Sequence, residues 1–282
     1  LKLNNYQLIL KIFRDLKYVI IKRHVYGLTS MMRVLPDFFV IGVVRSGTTS
    51  MYHYLDQHPS IVKSAYDELG FFDDNFKLGW KWYRSLFPTN FQKKSIKNKT
   101  GNFLTFDDTP FYIYNEKVAK RIKEFFPETK IIILLRNPID RAYSNYFLGI
   151  RMGDEQRSFD VVVEEEIKRI NQYDEVKIDQ YVGQSYLGRG LYAKQLEIWF
   201  KYFPKNNIKI LKSEDFADKT QEIMNEVFGF LNLPPAKIKN LEKKNVAEYT
   251  PMKVETRKKL MEFFLPYNDK LYDMLKVDYN WC

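Results

Sequence analysis

The sequence predicts an α/β fold: a single domain with a central parallel sheet flanked by helices, and a P-loop-like phosphate-binding loop after the first strand. Three observations predict it. Short apolar, β-rich runs alternate along the chain with segments of helical periodicity, the pattern of strand–helix–strand units. One run, KIIILL at residues 130–135, is almost uninterruptedly apolar, as a strand covered on both faces must be. The first run, residues 37–43, passes directly into a turn rich in Gly, Ser and Thr that opens a helix, a natural anion site.

Taken in order, the strands are expected at 37–43, 61–63, 103–106, 130–135 and 208–212. Helices are expected from the first loop to about residue 57, then at 115–126, 139–152, 158–172, 190–203, 218–231 and 254–274. No internal repeat or low-complexity tract interrupts this alternation. The division expected is an N-terminal segment, 1–35, ahead of one domain, 36–282. Within the former, residues 7–22 (QLILKIFRDLKYVIIK) set apolar side chains at helical spacing among basic ones. They predict an amphipathic helix packed on the domain, with peripheral contact to a membrane surface as the alternative. No apolar run reaches the roughly 18 residues of a membrane span.

Lys and Arg number 45 against 35 Asp and Glu, a net charge of +10, which favours an anionic partner. Nucleic acid is excluded as the first choice, because the chain has no zinc-finger spacing and no aromatic RNA-binding motif. Cys282 is the only cysteine, so no disulfide closes within the chain, and the cytoplasm is the expected compartment. His24, His53 and His58 have no zinc-ligand spacing, and no metal site is expected. Phe, Tyr and Trp make up 16% of the chain, and most of these rings are expected in the core.

The first loop reads Gly42-Val43-Val44-Arg45-Ser46-Gly47-Thr48-Thr49-Ser50. Its Gly42…Gly47 spacing has the outline of a nucleotide-triphosphate loop, but Thr48 stands where such a loop needs Lys. The cation lies inside the loop instead, as Arg45, which suits a shorter anionic group. A second site is expected after the fourth strand, at Arg136-Asn137-Pro138-Ile139-Asp140-Arg141-Ala142-Tyr143-Ser144. Asn137 is a plausible N-cap and Pro138 a first-turn residue, and Ser144 lies two turns into that helix. Arg136 and Ser144 can converge on one anion. Two anion sites in one domain call for a ligand with phosphates at both ends.

The stretch PDFFVIGVVRSGTTSMYHYLDQHP, with the Arg-x-Pro-x-x-Arg-x-x-Ser segment about 90 residues on, resembles the sulfotransferases that use PAPS (3′-phosphoadenosine 5′-phosphosulfate). It is most similar to the branch of heparan sulfate and bacterial carbohydrate sulfotransferases, and the resemblance covers most of residues 36–281. It implies that Arg45, Ser46, Gly47, Thr48, Thr49 and Ser50 hold the 5′-phosphosulfate, and that Arg136 and Ser144 hold the 3′-phosphate. PAPS is then the co-substrate, PAP the product, and no metal is required. In Asp67-Glu68-Leu69-Gly70-Phe71-Phe72, Glu68 takes the position of the family's base, with Arg45 stabilising the leaving oxygen. Asp67 and Phe71, together with Arg189 and Tyr192 of a Gly-x-Tyr-x-x-x-Leu segment, are expected on the acceptor side. Residues 241–252, with Lys243-Lys244-Asn245 and Tyr249, lie where the family covers the adenine, and Val254-Glu255-Thr256-Arg257 opens a family-like last helix.

The chain departs from that family in three places. Arg45 and Asp67 stand where Lys is common, and Asp107-Asp108-Thr109-Pro110 replaces Glu-Lys-Thr-Pro. The two acidic replacements disfavour a highly sulfated glycan. The acceptor expected is a hydroxyl on a small molecule, glycan or lipid, with neutral sugars, lipids and small alcohols preferred. The competing readings are a Mg²⁺-dependent P-loop nucleotide kinase and a non-catalytic anion-binding adaptor at a membrane surface.

Overall fold

The computed structural model describes residues 27–172, 185–241 and 250–281. The predicted amphipathic helix at 7–22, the adenine-side residues 243–245 and 249, and Cys282 lie outside the described residues.

Five strands form one all-parallel sheet: β1 (Phe38–Val40), β2 (Ile61–Lys63), β3 (Leu104–Asp108), β4 (Lys130–Leu135) and β5 (Ile208–Lys212), in the order β2-β3-β1-β4-β5. The α/β architecture expected from the alternation is what forms. Parallel pairing aligns Val40 with Asp108 on one side and with Ile132 on the other. Strand-type hydrogen bonds run on past β1, from Ile41 N–H to the Ile132 carbonyl (3.1 Å) and from Val43 N–H to the Leu134 carbonyl (2.9 Å). The sheet thus delivers the first loop at its carboxyl edge.

The helices among the described residues are α1 (Thr48–Leu55), α2 (Gly79–Ser85), α3 (Asn90–Thr100), α4 (Glu116–Phe125), α5 (Pro138–Met152), α6 (Phe159–Gln172), α7 (Tyr192–Tyr202), α8 (Ser213–Asp218), α9 (Thr220–Phe230) and α10 (Val254–Leu275). Because successive strand residues face opposite ways, β4 splits its apolar run between two cores. Ile132 and Leu134 join Phe38 and Val40 beneath Met51 and Leu55 of α1 and Met224 and Phe228 of α9. Ile131, Ile133 and Leu135 join Phe39 beneath Ile122 of α4 and Leu196 and Trp199 of α7. Burying side chains of this size contributes roughly 1.5–3 kcal/mol each. A third cluster, with Ile139, Val163 and Phe264, packs α5, α6 and α10 together.

Three features differ from the sequence expectation. Helices α2 and α3 occupy a stretch where none is expected. α3 buries no residue; it is defined by a capping box, with Gln92 N–H donating to Thr89 Oγ1 (3.2 Å) and Thr89 N–H to Gln92 Oε1 (3.0 Å), and it ends at left-handed Gly101. The helix expected at 218–231 forms as α9, and the short α8 ahead of it is not expected. The strand expected to end at 106 continues to Asp108, carrying two carboxylates to the carboxyl edge of the sheet. No helix among the described residues is long and apolar enough to cross a membrane.

Candidate active site

In a parallel sheet whose connections leave in opposite directions from neighbouring strands, the loops at the carboxyl ends part and leave a crevice. Here a cleft of about 970 Å³ opens there, lined by residues 44–50, by Arg136 and Ser144, and by Glu68, Phe111 and Arg189.

The first loop is fixed from several sides. Val44 N–H donates to the Tyr114 hydroxyl (3.3 Å), the Ser46 hydroxyl donates to the Val43 carbonyl (2.6 Å), and the Ser213 hydroxyl donates to the Ser46 carbonyl (2.7 Å). Gly42 has φ 148°, and a Cβ there would come within 2.9 Å of the Pro110 carbonyl oxygen and of Ile113. Arg45 is left-handed at φ 72°, a conformation that costs a non-glycine residue about 1–2 kcal/mol and persists where the surroundings enforce it. Gly47 is the N-cap of α1 and offers no side-chain cap, and the first turn of that helix, Thr48–Ser50, lines the cleft.

The second motif meets the first. The Arg136 guanidinium donates to the Arg45 carbonyl (3.0 Å), and Arg45 Nε donates to Ser144 Oγ (3.0 Å). The two segments expected to bind anions, about 90 residues apart in sequence, thus form one contiguous basic and hydroxyl-bearing surface. Asn137 caps α5 as expected, its Oδ1 accepting from Ile139 N–H (2.9 Å). Its own N–H donates to Glu214 Oε1 (2.8 Å), tying β4's loop to β5's.

Glu68 stands at the lip of the cleft, left-handed at φ 54°, with its N–H donating to the Asp108 carbonyl (2.7 Å). Its side chain reaches solvent, yet protein atoms crowd it on the inner side; this desolvation, and then the charge of Asp67, raise its carboxyl above the ordinary value. Behind it, Asp108 is buried, its Oδ1 without a hydrogen-bond partner, and burial followed by the charges of Glu68, Asp107 and Asp67 pushes its pKa well up. Asp107 is buried too and accepts from Thr109 Oγ1 (2.7 Å), the Tyr83 hydroxyl (2.8 Å) and the Tyr112 hydroxyl (3.1 Å). Burial outweighs those donors and lifts Asp107 to about 6.

The structure brings together Arg45, Ser46, Gly47, Thr48, Thr49, Ser50, Arg136, Ser144, Glu68 and Arg189 on one cleft. Arg189 rests its guanidinium over the rings of Phe111 (5.2 Å) and Tyr114 (5.7 Å). Asp67 adjoins Glu68 and acts on it through charge. Two expected acceptor contacts lie elsewhere. Phe71 is fully buried, stacked on Tyr83 at 4.1 Å within an aromatic cluster, because a ring of that size is more stable in the core than at a wet lip. Tyr192 is also buried, and its hydroxyl donates to the Arg136 carbonyl (2.7 Å), so it positions Arg136 from behind. Sequence reasoning missed Ser213, Glu214 and Tyr114; the first two directly follow a strand, where the carboxyl-edge rule for parallel sheets could have found them.

A parallel sheet carrying a glycine-bearing loop and a second basic segment at its carboxyl edge is the architecture of nucleotide-dependent group transferases. The chain belongs to the sulfotransferase domain family, which it matches over residues 35–260, and whose members use PAPS as sulfuryl donor. It is 25% identical to the membrane-associated sulfotransferase kil1 of Dictyostelium discoideum, over 88% of this chain and 66% of that protein. It is 27% identical to heparan sulfate glucosamine 3-O-sulfotransferase 5 of Mus musculus, over 90% of this chain and 76% of that one. Its fold is similar to the crystal structure of a sulfotransferase from Alicyclobacillus acidocaldarius, with a TM-score of 0.68 and 26% identity over 88% of this chain and 99% of that one. The chain thus spans about two thirds to three quarters of the length of these two curated relatives.

Proposed function

We propose that this chain transfers the sulfuryl group of PAPS to an acceptor hydroxyl, with Glu68 as the base. The observation that carries the reading is the convergence of the Arg45 loop, Arg136 and Ser144 on one cleft whose lip holds a carboxylate. The site fits the donor in size and chemistry. A cleft of about 970 Å³ is at the upper end of the range of small-molecule sites. Its donors are guanidinium groups, hydroxyls and a helix N-terminus, all suited to phosphate and sulfate oxygens.

In this reading the N–H groups and hydroxyls of residues 46–50 hold the 5′-phosphosulfate. Arg136 takes the 3′-phosphate in the planar, paired contact that a guanidinium makes with such oxygens. Ser144, which accepts from Arg45 Nε, lies on the same cleft and joins the two segments where the 3′-phosphate would sit. The acceptor oxygen attacks sulfur, its proton passes to a Glu68 carboxylate oxygen, and the bond from sulfur to the 5′-phosphate oxygen breaks, releasing PAP. Arg45 offsets the charge that builds on that leaving oxygen. Since sulfuryl transfer, like phosphoryl transfer, passes a loose in-line transition state, alignment and charge stabilisation supply most of the acceleration.

Asp67 beside Glu68 favours a neutral acceptor such as a sugar, lipid alcohol or small alcohol over a highly sulfated glycan, since like charges repel in a partly desolvated cleft. Asp108, buried and with its pKa raised, offers no cation where the family's branch has Lys. Kinase chemistry is disfavoured because Thr48 cannot supply the phosphate-bridging cation that Lys does. The test is PAP release from PAPS with a panel of neutral alcohols and glycans, in chelator. Acceptor-dependent PAP release is expected; absence of release with every acceptor, alongside ATP consumption when Mg²⁺ is restored, would sink the reading.

A further inference from the structure

The positive charge of this chain is not spread evenly. Residues 1–36 hold 7 Lys and Arg against 1 acidic residue, and residues 79–106 hold 6 against none, so these two segments carry more than the whole excess of +10. The fold sets the described end of the first segment, residues 27–36, against the second. Arg33 and Thr89 form an antiparallel bridge, Val34 N–H donates to the Pro88 carbonyl (3.0 Å), and Arg33 and Arg84 bond reciprocally to the carbonyls of Phe87 (2.7 Å) and Arg33 (2.9 Å). The antiparallel sense of the bridge carries Met32 and Met31 toward the start of α3, where Phe91 lies.

Apolar side chains stand out from this basic surface. Leu28, Met31, Met32 and Phe91 are 87%, 73%, 65% and 82% exposed, among the most exposed of the described large apolar side chains, and all four lie within five residues of the Arg33–Thr89 bridge along the chain. Lys94, Lys97 and Lys99 are exposed on α3 directly beyond Phe91, and no acidic residue lies on that helix.

We propose that this patch is a docking surface for an anionic lipid membrane, with Leu28, Met31, Met32 and Phe91 entering the headgroup layer and the α3 lysines meeting its charge. A soluble polyanion would be held by the lysines alone and would leave four large apolar side chains in water. An interface takes up both, because the apolar tips gain from leaving water while the cations stay at headgroup level. The surface is separate from the cleft residues, and the inference stands independently of the sulfuryl-transfer reading.

The experiment is co-sedimentation of the full chain with vesicles of phosphatidylcholine alone and with about one third phosphatidylserine, using two variants. One is K94E/K97E/K99E and the other is M31S/M32S/F91S, all at exposed positions; unchanged melting temperatures serve as the folding control. Expected is binding to the anionic vesicles only, weakened about tenfold or more in each variant and reduced by added salt. Three results would overturn the proposal: no binding by the unmodified chain, binding unchanged in both variants (which would move the contact elsewhere, to residues 7–22 for example), or loss in the lysine variant alone with equal affinity for soluble heparin, which would make the patch a polyanion site.

Discussion

Replacing Glu68 with Gln removes a proton acceptor and little else. Gln keeps the size and the left-handed backbone at φ 54°, and the N–H bond to the Asp108 carbonyl (2.7 Å) is a main-chain contact that survives the change. Residues 45–50, 136 and 144, proposed to hold the donor, are fixed by hydrogen bonds that do not involve the Glu68 side chain. The expected loss is therefore confined to the chemical step. A positioned general base contributes about 10²–10⁴-fold, equivalent to about 3–5 kcal/mol of barrier, so kcat should fall by that factor while KM for PAPS stays within about twofold. The pH profile adds a second readout. Only the ionised carboxylate accepts a proton, so kcat/KM should drop as pH falls through the folded pKa, which burial and then Asp67 hold above 4.5. Asp67→Asn removes the smaller of those causes and should move the acid limb partway down. Steady-state PAP release at several pH values measures both effects. A Glu68→Gln enzyme with kcat within threefold of the unmodified one would refute the base assignment, and an acid limb that moves up in Asp67→Asn would refute its electrostatic basis.

Three further perturbations probe the scaffold of the site. Arg136→Ala should weaken PAP binding about 10- to 100-fold, the range for a hydrogen bond to a charged group, measured by calorimetry; unchanged affinity would remove Arg136 from the donor site. Gly42→Ala forces a Cβ to 2.9 Å from the Pro110 carbonyl at φ 148°, and should cost about 1–3 kcal/mol in denaturant unfolding, with loss of PAP binding as the loop shifts; a neutral effect would show that the loop is not held where the contacts hold it. Asp107 is raised from 3.8 to about 6, so its contribution to stability is full below about pH 4 and is lost as pH rises through about 6. Asp107→Asn cannot ionise and should gain on the unmodified chain by up to about 3 kcal/mol between pH 4 and pH 7; an identical pH dependence of the two unfolding curves would contradict the buried, proton-holding state of Asp107.

What the sequence made legible follows from how local each signal is. KIIILL must be a central strand because every side chain after Lys130 is apolar and both faces are covered, and the structure divides those five between two cores. The Gly42–Ser50 loop and the Arg136–Ser144 segment are read from residues contiguous in sequence, and both reach the cleft. The contact between them was not legible: Arg45 Nε to Ser144 Oγ depends on the order β1-β4 in the sheet, which no short window encodes. Phe71 and Tyr192 went to the interior for a related reason, since a motif specifies a residue type at a spacing but not which side of the chain faces the cleft. α3 escaped periodicity because it has no apolar stripe, although its Thr89-x-x-Gln92 capping box and Gly101 stop were present in the sequence.

The central claim, one cleft with two phosphate-binding segments and no need of a metal, is tested most directly by calorimetric titration of the full chain with PAP, 5′-AMP and ATP, each with and without Mg²⁺. The account predicts tight PAP binding that Mg²⁺ does not change and that falls sharply for 5′-AMP, which lacks the 3′-phosphate meant for Arg136 and Ser144. Equal affinity for PAP and 5′-AMP, or a preference for ATP that requires Mg²⁺, would contradict it.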